Sequence, residues 1–83
     1  MSLSKKHFDF MANEFGSILR DIDARFPHGS HDHLIACDYV REAIYSWQTL
    51  CKRENSQFDQ ARTEDWIADV RYGRRDLDGR KIA

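Results

Sequence analysis

Pro27 is the only proline in the chain, and it stands between two long stretches whose apolar residues repeat with the period of a helix. Proline disfavours helical geometry at the residue before it, so the first helix must end at or just before Phe26. Upstream, Phe8, Met11, Ala12, Phe15, Ile18, Leu19, Ile22 and Phe26 form one unbroken stripe, and Ser4 is placed to cap its first turn. Downstream, from Asp32 to about Glu54, Cys37, Val40, Ile44, Trp47 and Cys51 alternate in steps of three and four, with Ala36, Ala43 and Leu50 beside them. Such a pattern makes an apolar face about 100° wide or more. The link from Pro27 to His31 holds Gly29 and Ser30, and a connection this short makes antiparallel neighbours. Ser30 or Asp32 can cap the second helix. At 1.5 Å per residue each long helix spans about 33 Å, so their stripes match in length.

The periodicity stops at Asn55-Ser56. Two starts for a third helix are open: Phe58 followed by Asp59 as its cap, or Thr63-Glu64-Asp65 with acidic residues in the first turn. Trp66, Ile67 and Val70 supply a short apolar edge, and Arg71 with Gly73 beyond it suits a C-terminus. The expected fold is all-α, an antiparallel helical hairpin of two long helices with a short third helix and a basic C-terminal tail. Residues 1–73 form a single helical domain, and 74–83, with only Leu77 and Ile82 to bury, are expected to be mobile. Gly16 on the first stripe signals either close approach of another backbone or simple tolerance, and tolerance is the simpler reading. Two helices facing each other leave part of each stripe uncovered, and no cover can be assigned to Trp47.

Ten aromatic residues among 33% charged ones, at a mean hydropathy of -0.73, exclude a disordered chain. A chain of 83 residues makes one domain with a marginal core, which points to oligomerisation as added support. The net charge of -1 hides an asymmetry: residues 1–70 carry eight Lys/Arg against twelve Asp/Glu, and residues 71–83 carry five against two. No apolar run approaches the ~18 residues of a membrane span, and no signal-peptide core follows Lys5-Lys6, so a cytoplasmic protein without membrane contact is expected. Cys37 and Cys51 are about 21 Å apart on one helix and cannot pair within the chain.

His28, His31, His33 and Cys37 include good zinc ligands, but two of them sit in the turn and Cys37 belongs to the core stripe. Solvated turn histidines are the reading, and neither metal nor cofactor is assigned. No nucleophile with an adjacent base, phosphate loop or paired carboxylates can be found, so no catalytic residue is assigned and an enzyme is not expected. Tyr39, Tyr45, Trp47 and Trp66 are more aromatic surface than three short helices easily hide, and beside Arg71, Arg74 and Arg75 they suit a partner-binding surface. A self-association seam along the second helix would make the protein a homodimer. The alternative is a nucleic-acid-associated regulator using Arg74, Arg75, Arg80 and Lys81, diluted by Asp76 and Asp78 and by a pI near 6.4.

Two segments carry a family resemblance. Lys5-Lys6-His7-Phe8 with Met11-Ala12, and Asn55-Ser56-Gln57-Phe58-Asp59-Gln60-Ala61-Arg62, resemble a group of small phage-encoded helical proteins. Members begin with Lys-Lys-His-aromatic and an Ile-Ala pair, and close with Asn-x-x-Phe-Asp-x-x-Arg-aromatic. This chain departs from the pattern in having Thr63 where an aromatic would follow Arg62, and the third helix and tail have no template. The resemblance implies a phage or prophage accessory protein that docks on a host or phage protein, including one that counters a host defence or regulatory system. It implies no catalytic residue; it makes Phe8 and Phe58 core, Asp59 a cap, and Arg62 the partner of an acid within the fold, and it marks out His7.

Overall fold

The computed structural model describes residues 3–82, and these contain three helices: α1 (Lys5–Arg25), α2 (His31–Glu54) and α3 (Gln60–Arg71), with no named strand. Each helix starts on a side-chain cap. Ser4 Oγ accepts from the His7 amide at 3.3 Å, Ser30 Oγ from the His33 amide at 3.2 Å, and Asp59 Oδ1 from the Arg62 amide at 3.0 Å. Each such cap contributes on the order of 1 kcal/mol. α1 ends at Phe26, whose φ of -117° and ψ of 139° are the extended geometry that a following proline favours. Of the two starts open for α3 the earlier is used, and the Thr63 hydroxyl turns back to the Asp59 carbonyl at 3.0 Å.

Both other helices pack on α1. α3 runs parallel to it, tied at one end by Arg62 to Asp9 (3.0 Å) and at the other by Arg71 to Asp23 (2.8 Å). α2 runs antiparallel, with Trp47 beside His7 and His33 beside Asp23. The tighter partner of α1 is the short α3, and α2 and α3 meet only weakly. The hairpin of long helices expected from the stripes is therefore not the main packing unit.

The reason lies at Gly16. A β-carbon built there would stand 2.5 Å from Val70 Cβ and 2.8 Å from the Ile67 carbonyl oxygen. Those are rigid atoms of α3, so the glycine is a site of close approach, and the reading of mere tolerance is wrong. Ala12, one turn earlier and also buried, widens the flat shelf that Gly16 makes.

Trp47 is also corrected. It is only 8% exposed, with ring centroids of Phe15, Phe58 and Phe8 at 5.4, 5.7 and 6.5 Å, and Phe8 meets Phe58 edge-on at 4.8 Å. Its indole N–H donates to His7 Nε2 at 3.0 Å, which satisfies the polar atom that burial would otherwise orphan. Ile18, counted in the α1 stripe, is exposed instead. Cys37 and Cys51 are both free thiols in the core, and burial pushes the Cys51 thiol up.

Residues 74–82, expected from composition to be a mobile tail, are folded into a closed loop. Arg75 and Lys81 form an isolated antiparallel bridge, the Ile82 amide donates to the Arg74 carbonyl at 3.1 Å, and Asp76 Oδ1 accepts from the Asp78 and Arg80 amides. Asp69 anchors the loop by accepting from Arg74 Nε at 2.7 Å and Arg75 Nε at 3.3 Å. Gly79 turns with φ +87° and lies against the Asn13 side chain of α1.

Gly16→Ala should therefore lose stability. The helix-propensity gain of about 1 kcal/mol is outweighed by overpacking of about 1–3 kcal/mol, to be read from urea unfolding. A second expectation concerns acid. The Arg74 hydrogen bond, with help from Arg75, holds the Asp69 carboxyl below the usual range. Its contribution is present above the unfolded value of about 3.9 and is lost as pH falls through the depressed folded value. The Gly79 amide shift should follow that loss in an acid titration, and Asp69→Asn should remove this transition.

Candidate functional site

Because α3 is drawn to α1 and barely meets α2, a groove of about 340 Å³ opens between α2 and α3. Leu19 of α1 forms its floor, with Ile44 from α2 and Ile67 and Ala68 from α3 as apolar walls. Tyr45 and Tyr72 stand on its rims, and Tyr45 is 71% exposed. The two ends differ in charge. Arg41, midway along α2, and Arg71, the last residue of α3, mark one end. Gln48, Gln60 and Glu64 mark the other, and Glu64 Oε1 accepts from Gln60 at 2.9 Å and from Gln48 at 3.4 Å.

A buried polar cluster closes the basic end. Arg71 grips Asp23 with two parallel bonds, Nε to Oδ2 at 2.8 Å and Nη2 to Oδ1 at 2.9 Å. His33 Nε2 lies 2.8 Å from the same Oδ1. The Arg71 hydrogen bonds hold the Asp23 carboxyl at about 2, against the opposing effect of burial, and they push the guanidinium further up. An ionised carboxylate only accepts, so His33 Nε2 is the donor in this contact. Cys37 Sγ completes the cluster, 3.7 Å from His33 Nε2 and 3.7 Å from Arg71 Nη2, and it lines the groove. Among the described residues no buried side-chain nitrogen or oxygen lacks a partner.

The sequence-derived residues fall in different places. Tyr45 and Arg71 meet in the groove, while Tyr39 is exposed on another flank of α2. Trp47 belongs to the core and cannot anchor a partner without unfolding it. Trp66 is half-buried, its N–H donates to Asn13 Oδ1 at 2.6 Å, and its ring lies between Arg75 at 3.8 Å and Arg62 at 5.1 Å. Arg74 and Arg75 are both engaged by Asp69, and Arg75 also donates to the Gly79 carbonyl. Of the basic residues assigned to a nucleic-acid arm, Arg80 and Lys81 are exposed without an acidic partner among the described residues. Of the turn histidines, His28 and His31 are exposed and His33 is buried.

Arg41, Gln48, Glu64 and Tyr72 were missed. Arg41 and Tyr45 share one side of α2 at a spacing of four, a signal that was present but could not be weighed without knowing where α3 lies. Comparisons with protein-family models, with curated proteins and with solved structures give no match. Among the described residues no helix is long and apolar enough to cross a membrane.

The bidentate pair should matter to folding as well as to the groove. Arg71→Met keeps most of the aliphatic stem but leaves Asp23 with His33 alone, and should cost roughly 2 kcal/mol in denaturant unfolding, the range for hydrogen bonds to charged groups.

Proposed function

We propose that this protein is a non-enzymatic interaction module that receives an amphipathic helix of another protein in the α2–α3 groove. The observation that carries this reading is the groove itself. Two helices that lean on a common third helix without closing on each other leave a slot with an apolar floor, which is the setting for helix-in-groove recognition. Exposed Tyr45 and Tyr72 on the rims are of the residue type that anchors interfaces.

Charge selects the occupant. Among the described residues Arg41 is paired only with exposed Asp38 at 2.9 Å, and such a surface pair is worth little, so its guanidinium can re-pair. A helix carrying an apolar ridge and an acidic side chain at the Arg41 end would match the slot, with a donor facing Glu64 at the other. The setting we propose is a phage or prophage accessory protein acting on a host or phage protein inside the bacterial cell. In support, the two segments that resemble that group pack on each other. Phe8 meets Phe58, Arg62 meets Asp9, and Asn55 Nδ2 donates to the Leu3 carbonyl at 2.9 Å. They form the end of the bundle away from the Asp23 cluster, and their roles there are structural.

The reading is tested by capture from a bacterial lysate followed by a direct measurement. The captured protein should contain an amphipathic helix that binds as a synthetic peptide. Its affinity should fall at least about tenfold with Tyr72→Ala or Arg41→Glu, the loss expected of an anchor residue, and not with Tyr39→Ala. Capture that survives the groove variants, or no capture at all, would overturn the proposal. Light scattering that finds a dimer dissociated by Tyr45→Ala would give the groove to a second copy of the chain instead.

A further inference from the structure

Asp23, His33 and Cys37 present a carboxylate oxygen, an imidazole nitrogen and a sulfur that lie within 4.8 Å of one another. From this we infer a binding site for a divalent transition-metal ion of the zinc type. The donor set is mixed and suits a borderline-soft cation, whereas calcium or magnesium would require oxygen ligands throughout. Two of the ligands come from successive turns of α2, where a spacing of four puts both on one side of the helix, and the third comes from α1. His33 and Cys37 are each 4% exposed, so the frame that holds them is fixed by packing.

The distances fit an ion with small adjustments. Bonds of about 2.0 Å to nitrogen and oxygen and about 2.3 Å to sulfur, arranged tetrahedrally, set ligand separations of about 3.3 Å for N–O and about 3.6 Å for N–S. The structure has 2.8 Å between His33 Nε2 and Asp23 Oδ1, and 3.7 Å between His33 Nε2 and Cys37 Sγ. Admitting the ion takes a widening of the first gap by about half an ångström and a closing of Asp23 Oδ1 and Cys37 Sγ, which lie within 4.8 Å of each other, to about 3.5 Å. The fourth position is left to water, and Cys37 lines the groove, which supplies the route in from solvent.

Arg71 is the obvious objection, since it already neutralises Asp23. Its two bonds use both carboxylate oxygens, but Nε holds Oδ2 and only Nη2 holds Oδ1. With the ion on Oδ1, Nε keeps Oδ2 while Nη2, already 3.7 Å from Cys37 Sγ, turns to the thiolate. The guanidinium then serves as the outer hydrogen-bond donor that metal-bound carboxylates and thiolates ordinarily have. Cys37 binds as the thiolate and His33 through an unprotonated Nε2, so binding competes with protons and releases them to solvent.

The set weighed from sequence, His28, His31, His33 and Cys37, reads as solvated turn histidines with no metal assigned. His28 and His31 are exposed, and the ring of His28 lies 4.7 Å from that of His33 without being needed as a ligand. The assignment is tested by titrating the reduced, chelator-treated full chain with cobalt(II), followed by absorbance and by proton release. The expected result is one ion per chain, a near-ultraviolet sulfur-to-cobalt band, proton release, and reversal by a chelator. Cys37→Ser should abolish the band while circular dichroism stays that of the wild type. Cys51→Ser and the double variant His28→Ala/His31→Ala should keep it. Absence of the band in the wild type, its persistence in Cys37→Ser, or its loss on removing His28 and His31 would each overturn the inference.

Discussion

Where Gly16 meets Val70, α1 and α3 approach so closely that no side chain fits between them, and this contact decides where everything else goes. Because α3 follows α1 in parallel at that distance, residues near the start of α1 face residues near the start of α3, and the same holds at the far ends. Asp9 therefore finds Arg62, and Asp23 finds Arg71, 14 residues further along α1 and nine further along α3. The two ion pairs follow from the contact and then hold its register, since sliding one helix along the other would break both. α2 is left to the remaining apolar side of α1, where it reaches the aromatic cluster and touches α3 only through a few side chains.

At the end where α1 and α3 begin, packing is aromatic and the polar atoms are matched one to one. Trp47 brings a large ring and a single donor into the core, and His7 supplies the single acceptor. Phe58, between α2 and α3, fills the space beneath and lets the chain turn into the Asp59 cap. This explains how a chain so short and so charged keeps a core: four rings share one cluster, and each aromatic contact adds to simple area burial.

Much of the fold was legible because it depends on neighbours in sequence. Ser4, Ser30 and Asp59 act on amides three residues away, and Pro27 acts on Phe26, so the start and stop of α1 could be read from the residues themselves, while the caps of α2 and α3 were each one of two open candidates. What could not be read depends on residues far apart. Gly16 looks the same whether tolerated or required until Val70 is placed against it. The cover of Trp47 comes from His7, 40 residues earlier, a polar residue that no apolar pattern counts. Nothing in the sequence pattern marks out Asp23, yet it is the residue that joins His33 and Arg71 beside Cys37. The basic residues after α3 looked like a free arm because composition does not show that Asp69, within α3, binds two of them and that Trp66 is covered by one.

The cluster around Asp23 also bears on why the groove stays open. Apolar residues of similar volume at the positions of Asp23 and Arg71 would hold α1 and α3 together at least as well, since partly buried ion pairs seldom outperform good apolar packing. Stability alone therefore does not account for them. Apolar side chains there would, however, extend the floor formed by Leu19 and Ile67 and favour α2 closing onto α3. The guanidinium prevents this. It fills the junction of the three helices with a charge already committed to Asp23, presents a further Nη2 hydrogen to Cys37, and leaves the slot above it ending in a hydrogen-bonded polar wall. One residue near the end of α3 thus sets the register with α1, the spacing from α2 and the chemistry at the basic end of the groove.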